Sequence, residues 1–132
     1  MAALDRPVVK PRPVYLNLLA IRQPLSAIVS ILHRASGALL FLIGIPLLLW
    51  GAQASLASPE AFAQFKAAMA HPLAKLVALA LAWAYIHHLL AGVRHLVLDL
   101  HIGIDLDAAR RSAAFVFVLA LLLTLVVALR LW

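Results

Sequence analysis

The chain contains no cysteine. That excludes disulfides, iron–sulfur ligation, c-type haem attachment and thiol catalysis within it, so any metal it holds must rest on histidine or carboxylate. Carboxylates are scarce as well: five Asp and Glu occur in 132 residues, and none lies deep inside an apolar run. Proton transfer by a membrane-buried acid is therefore not available to this chain alone. No flavin or nucleotide motif, internal repeat or low-complexity tract is present. The opening stretch, MAALDRPVVKPRPVYLNL, has three prolines and scattered charge but no apolar core with a small-residue cleavage site. It reads as the start of the mature protein and not as a signal peptide, which favours a bacterial source.

What is abundant is apolar surface. Hydrophobic residues make up 66% of the chain and charged ones 12%, with a mean hydropathy of +1.05. A single short domain cannot hide that much apolar area from water, whereas lipid solvates it. In that setting the net charge of +6 reads as basic flanks on a cytoplasmic surface, not as a nucleic-acid footprint. Three runs, about 24–51, 73–98 and 113–132, each approach the roughly 20 residues a helix needs to cross ~30 Å of hydrocarbon. Lipid offers backbone amides no partner, so the spans must be helical. The expected fold is an all-α membrane protein with three transmembrane helices: residues 1–23 form a cytoplasmic arm and 24–132 the membrane-embedded domain. Pro46 falls within the first span and predicts a kink.

Between the first two spans lies SPEAFAQFKAAMAHP. Ser58 suits an N-cap, Pro59 the first helical position and Glu60 the positive end of the dipole. Phe62, Phe65 and Met69 then share one face, which predicts a short amphipathic helix on the membrane surface, closed by His71-Pro72. The second connection, DLHIGIDLDAARRS, offers Asp107 as a cap for the last helix. Eight of the eleven Lys and Arg lie in the N-terminal segment through Arg34 or around the second connection, against Lys66, Lys75 and Arg130 on the other side. The N-terminus is therefore expected in the cytoplasm and the C-terminus in the periplasm.

Two polar constellations interrupt the spans. In AYIHHLLAGVRHLVLD, His88 and His95 are seven residues apart and share a helix face, with Gly92 one turn from His88; His87 points about 100° away. His88 lies about 15 Å from the helix end by helical rise, where an ionisable group is costly and usually functional. A haem iron, with Gly92 leaving room for a flat macrocycle, a proton relay and a structural hydrogen bond are all open to it. A second axial ligand would have to come from another chain, since His33 sits near the end of a different helix and His71 on the far side. In SILHRASG, Ser30 and Arg34 adjoin at i and i+4, and Gly37, Gly44 and Gly51 continue at seven-residue steps. The glycine stripe permits close helix approach and predicts that Ser30 and Arg34 point into the bundle. A hydroxyl beside a guanidinium suits a carbonyl or carboxylate ligand.

Taken together, Arg12-Pro13, Ser30-x-x-His33-Arg34-x-Ser36 and His88-x-x-x-Gly92-Val93-Arg94-His95 ending in Asp99 resemble the cytochrome b subunit of succinate dehydrogenase, the larger membrane anchor of complex II. The likeness extends over the chain, including the SPE segment and the arginine pair before the last helix; Leu98 departs from it, standing where that family prefers an aromatic residue or methionine. The resemblance implies one part of a hetero-oligomeric helix bundle in the bacterial inner membrane. It also implies three partners: a flavoprotein that oxidises succinate, an iron–sulfur subunit docked on the cytoplasmic side, and a second, smaller anchor. By the same resemblance His88 is an axial ligand of haem b, the other ligand coming from the smaller anchor. Ser30 and Arg34 line the site where ubiquinone is reduced, and His33, Arg34 and His95 are candidates for the haem propionates. The chain holds no complete active site of its own. A fumarate reductase anchor is the near alternative, and a small proton-relay or structural membrane protein the distant one.

Overall fold

The structure, a computed structural model, describes Asn17 and residues 20–132. Most of the expected arm, with Arg6, Lys10 and Arg12-Pro13, lies outside the described residues. Four helices occur in order: α1 (Leu25–Leu56), α2 (Pro59–Met69), α3 (Pro72–Asp99) and α4 (Leu106–Leu131). Three of them, α1, α3 and α4, are long and apolar enough to cross a membrane.

Helix α1 is not uniform. Leu40–Gly44 forms a single π-helical turn, placed just before Pro46. A proline ring clashes with the carbonyl four residues back and removes one hydrogen bond, and a π turn is a common way for a helix to absorb such a break. The extra residue in that turn rotates the C-terminal half of α1 about its axis. Gly37 and Gly44 face α3, against His88 and Leu81, whereas Gly51 faces α2, against Phe65. The seven-residue glycine stripe is therefore split between two neighbours.

Helix α2 starts as its sequence predicts. Ser58 is extended and its Oγ accepts from the Ala61 N–H at 3.1 Å, with Pro59 next in the chain. The backbone N–H of Glu60 and the Ser58 hydroxyl hold the Glu60 carboxyl below the ordinary carboxylate range. Phe65 meets Trp50 edge-on at 6.1 Å and Met69 is half-buried, while Phe62 stays exposed. Helix α3 is capped by His71, whose Nδ1 accepts from the Leu73 N–H at 3.2 Å.

Helix α4 begins at Leu106, seven residues before the expected start of the third span. Its N-cap is Asp105, not Asp107; the Asp107 carboxylate sits in the first turn, facing the positive end of the helix. The turn before it is a Schellman ending of α3: the His101 N–H donates to the Leu98 carbonyl at 2.9 Å and the Ile102 N–H to the Val97 carbonyl at 3.3 Å. His101 occupies the left-handed position at φ 61, where glycine is usual.

The three long helices meet through small residues: Ala84, Ala91, Ala113 and Ala120 are fully buried, with Val29 and Val116 beside them. Between helices in lipid, alanine permits the close backbone approach from which packing energy comes. Helix α1 is the least covered of the three. Its outward face is left to lipid or to other chains. Polar ties join α3 to α4 at both ends. Arg94 donates from Nε to the Ser112 Oγ at 3.0 Å and from Nη2 to the Ala109 carbonyl at 3.1 Å. At the opposite end Lys75 Nζ donates to the Leu131 carbonyl at 2.6 Å and lies 5.4 Å from the Trp132 ring centroid.

Candidate functional site

The histidines separate into two environments along the α1–α3 contact. His87 is fully buried, stacked on Trp83 with centroids 5.4 Å apart. Its Nε2 lies 3.4 Å from the Val29 carbonyl oxygen, and its Nδ1 has no hydrogen-bond partner among the described residues. It is enclosed by protein on every side. His88, one residue on, is only half-buried. Its Nδ1 lies 2.9 Å from the His33 carbonyl oxygen and 3.4 Å from Ser36 Oγ, and its Nε2 makes no hydrogen bond to any described residue.

Around His88 the other predicted residues gather. The His33 ring stacks on it with centroids 4.2 Å apart and planes 11° from parallel, and the His95 ring stacks on His33 at 4.9 Å. His33 is thus not remote from His88 as its sequence position implied; packing of α1 on α3 sets the two face to face. His95 donates from Nδ1 to the Ala91 carbonyl at 2.6 Å, within its own helix. The three rings form a column of imidazoles, but no ring nitrogen bonds to another. A hydrogen-bonded proton relay through them is absent among the described residues. Rings stacked this way present their nitrogens side by side, so His33 and His88 cannot take opposite faces of one metal. Among the described residues, no group of three or more His, Asp or Glu is placed to hold a metal ion alone.

Gly37 makes this arrangement possible. A Cβ there would stand 2.7 Å from His88 Cε1, closer than Cβ atoms approach, and a tight 3.1 Å from Nδ1. At Gly92 a Cβ would meet His33 Nε2 at 3.4 Å, ordinary contact. The glycine in contact with the His88 ring within this chain is therefore on the neighbouring helix. Ser36, 2% exposed, donates to the His33 carbonyl at 2.9 Å. Sequence reading singled out neither residue for this task; the signal was present in the SG pair that comes just after His33-Arg34, but its target lies on another helix.

Ser30 and Arg34 pair as expected: Arg34 Nη2 donates to Ser30 Oγ at 3.3 Å. Arg34 is nevertheless exposed and Ser30 half-buried, so the pair faces out of this chain's own bundle instead of into it. With Oγ accepting from the guanidinium, the serine hydroxyl keeps its proton for an incoming acceptor. The site's donor set, neutral imidazole with one free nitrogen and no thiolate, suits haem iron. A cleft of about 440 Å³ between α3 and α4, lined by Val93, Val97, Arg111 and Phe115 among others, lies on the other side of α3 and does not open onto the imidazole column.

Comparison with known proteins points the same way. The family model for the succinate dehydrogenase/fumarate reductase transmembrane subunit matches residues 9–127. The chain is 37% identical over 102 residues to the succinate dehydrogenase cytochrome b556 subunit of Paracoccus denitrificans, covering 77% of this chain and 78% of that one. It is 35% identical over 122 residues to the subunit of the same name from Coxiella burnetii, covering 92% and 97%. The corresponding Rickettsia typhi protein is 26% identical over 125 residues, covering 95% and 97%.

Proposed function

The chain belongs to the succinate dehydrogenase/fumarate reductase transmembrane subunit family, and from that premise we propose that it is the haem b-binding anchor of a succinate:ubiquinone oxidoreductase. His88 would hold the haem iron together with a residue of a smaller anchor subunit; Ser30 and Arg34 form part of the quinone site. The complex sits in the bacterial inner membrane with the N-terminus of this chain in the cytoplasm. A flavoprotein and an iron–sulfur subunit dock at that side and complete the enzyme, whose dehydrogenase centre this chain does not contain.

One observation carries the assignment of the ligand. Each of the two adjacent histidines keeps one ring nitrogen without a hydrogen bond among the described residues, but only His88 has a partly open edge, while His87 is sealed in the core. The family relation and the imidazole chemistry support a haem there, which when bound supplies a one-electron carrier inside the membrane. The face-to-face stacking of His33 on His88 keeps His33 from sharing an iron with it, which supports a second ligand from another polypeptide.

For the quinone, the chain's own groups act by binding and polarising. The Ser30 hydroxyl donates to a quinone carbonyl oxygen, and the Arg34 guanidinium keeps the pocket electropositive as negative charge develops on that oxygen. Both are reachable from outside the helix bundle, which suits a substrate arriving laterally through lipid and completed by residues of partner chains. Protons for the reduced quinone come from water or partner subunits, since among the described residues the Asp and Glu of this chain stand at or near helix ends and none lies deep within a span.

The test is made on the assembled complex. Ser30→Ala and Arg34→Ala should each lower succinate-driven quinone reduction by at least about tenfold, the effect of losing roughly 1.4 kcal/mol of transition-state stabilisation, while reduction of artificial acceptors by the soluble subunits stays intact. Quinone reduction at the wild-type rate in both variants rejects the assignment.

A further inference from the structure

We infer that the His33–Gly37 segment of α1 is a cradle that positions His88 from the neighbouring helix, with Ser36 and Gly37 as positioning residues for the ligand. The inference rests on the haem reading and deepens it. A neutral imidazole has one N–H and one lone pair, and a carbonyl oxygen can only accept. With Nδ1 2.9 Å from the His33 carbonyl oxygen, the hydrogen resides on Nδ1 and the lone pair on Nε2. The tautomer is thus chosen by α1 before any iron is present, in the way outer partners commonly orient a ligating histidine and raise its basicity.

That carbonyl accepts from two side chains. Ser36 Oγ donates to it at 2.9 Å, while its own distance to His88 Nδ1, 3.4 Å, is at the outer limit of a bond. Ser36 therefore acts on His88 chiefly by drawing charge from the acceptor that the imidazole uses. Gly37 acts by clearance: a methyl 2.7 Å from Cε1 is incompatible with the ring where it stands. The His33 ring already covers one face of His88. A displaced His88 gives up the bond to the carbonyl, and with it the fixed tautomer.

The sign of each effect depends on which state the imidazole favours. A hydrogen bond accepted from Nδ1–H makes Nε2 a stronger donor and stabilises ferric over ferrous iron. Gly37→Ala breaks that bond, so the complex should assemble with less haem, and the haem that remains should have a higher midpoint potential. Ser36→Ala removes the competing donor and strengthens the bond, so haem content should be unchanged and the potential should fall, with a shift in the low-spin electron paramagnetic resonance signal. A purely structural role for Ser36 would move neither.

The experiment is a redox titration, with haem quantitation and low-temperature electron paramagnetic resonance, of the purified four-subunit complex carrying Ser36→Ala, Gly37→Ala or His88→Ala. Opposite potential shifts in the first two, or a lowered potential in Ser36→Ala where Gly37→Ala fails to assemble, support the cradle. A wild-type potential and signal in Ser36→Ala, or full haem at the wild-type potential in Gly37→Ala, overturn it. If His88→Ala keeps the wild-type haem spectrum, the haem reading itself falls; if His88→Ala loses haem while the other two are silent, only the cradle falls.

Discussion

Where α3 runs out and α4 starts, Arg94 is buried between the helices and donates to Ser112 and Ala109; where α3 starts and α4 runs out, Lys75 reaches the Leu131 carbonyl beside Trp132 at a partly open edge. The same pair of helices is tied at each end by one cation, yet the surroundings differ. The buried polar residues among those described, Ser36, His87 and Arg94, all belong to the first half. The second half is joined by aromatic and aliphatic contacts such as Trp50 on Phe65. Desolvated polar groups are costly and persist where they hold something in place. The first half is built to fix a polar constellation, and the second to sit in lipid.

The sharpest way to break that contrast is to remove both cations. Arg94→Met leaves Ser112 and the Ala109 carbonyl without their charged donor and should destabilise the bundle by about 3 kcal/mol, whereas Lys75→Met should cost under about 1 kcal/mol because its site is partly open. Thermal melts of the purified complex check this; equal losses would erase the distinction between the halves. Next in size, Ser58→Ala removes the α2 cap and should cost about 1 kcal/mol without moving the haem spectrum, since α2 packs on the second half only. A spectral change in that variant would tie the halves together. The smallest effect is a gain: His101→Gly relieves a non-glycine residue in the left-handed region and should stabilise the α3–α4 turn by up to about 1 kcal/mol, seen as a raised melting temperature.

Much of the fold was legible because hydropathy and capping are local. The three spans, the Ser58-Pro59 start of α2 and the His71-Pro72 start of α3 are written in neighbouring residues. The exact cap of α4 was not: Asp107 was expected there, and Asp105, two residues earlier, stands at the N-cap. The split of the glycine stripe depended on where α1 absorbs Pro46, and one π turn changes the phase of everything beyond it. At the candidate site, spacing marked His88, Ser30 and Arg34 only as polar residues on helix faces; the choice of His88 over His87 and the roles proposed for all three rest on the family resemblance. What spacing could not supply was the partner across the interface. His33 against His88, the clearance at Gly37 and the turn of Arg94 toward Ser112 are products of how α1, α3 and α4 dock.

Adjacent in sequence and opposite in environment, His87 and His88 are the pair on which the proposed ligand assignment turns. The direct measurement is the dithionite-reduced minus oxidised spectrum of the assembled complex carrying His87→Phe or His88→Ala. Phenylalanine in place of an enclosed ring with an unpartnered nitrogen should leave the b-type bands at full height, and His88→Ala should abolish or shift them. Bands lost in His87→Phe and retained unchanged in His88→Ala would contradict the assignment at its root.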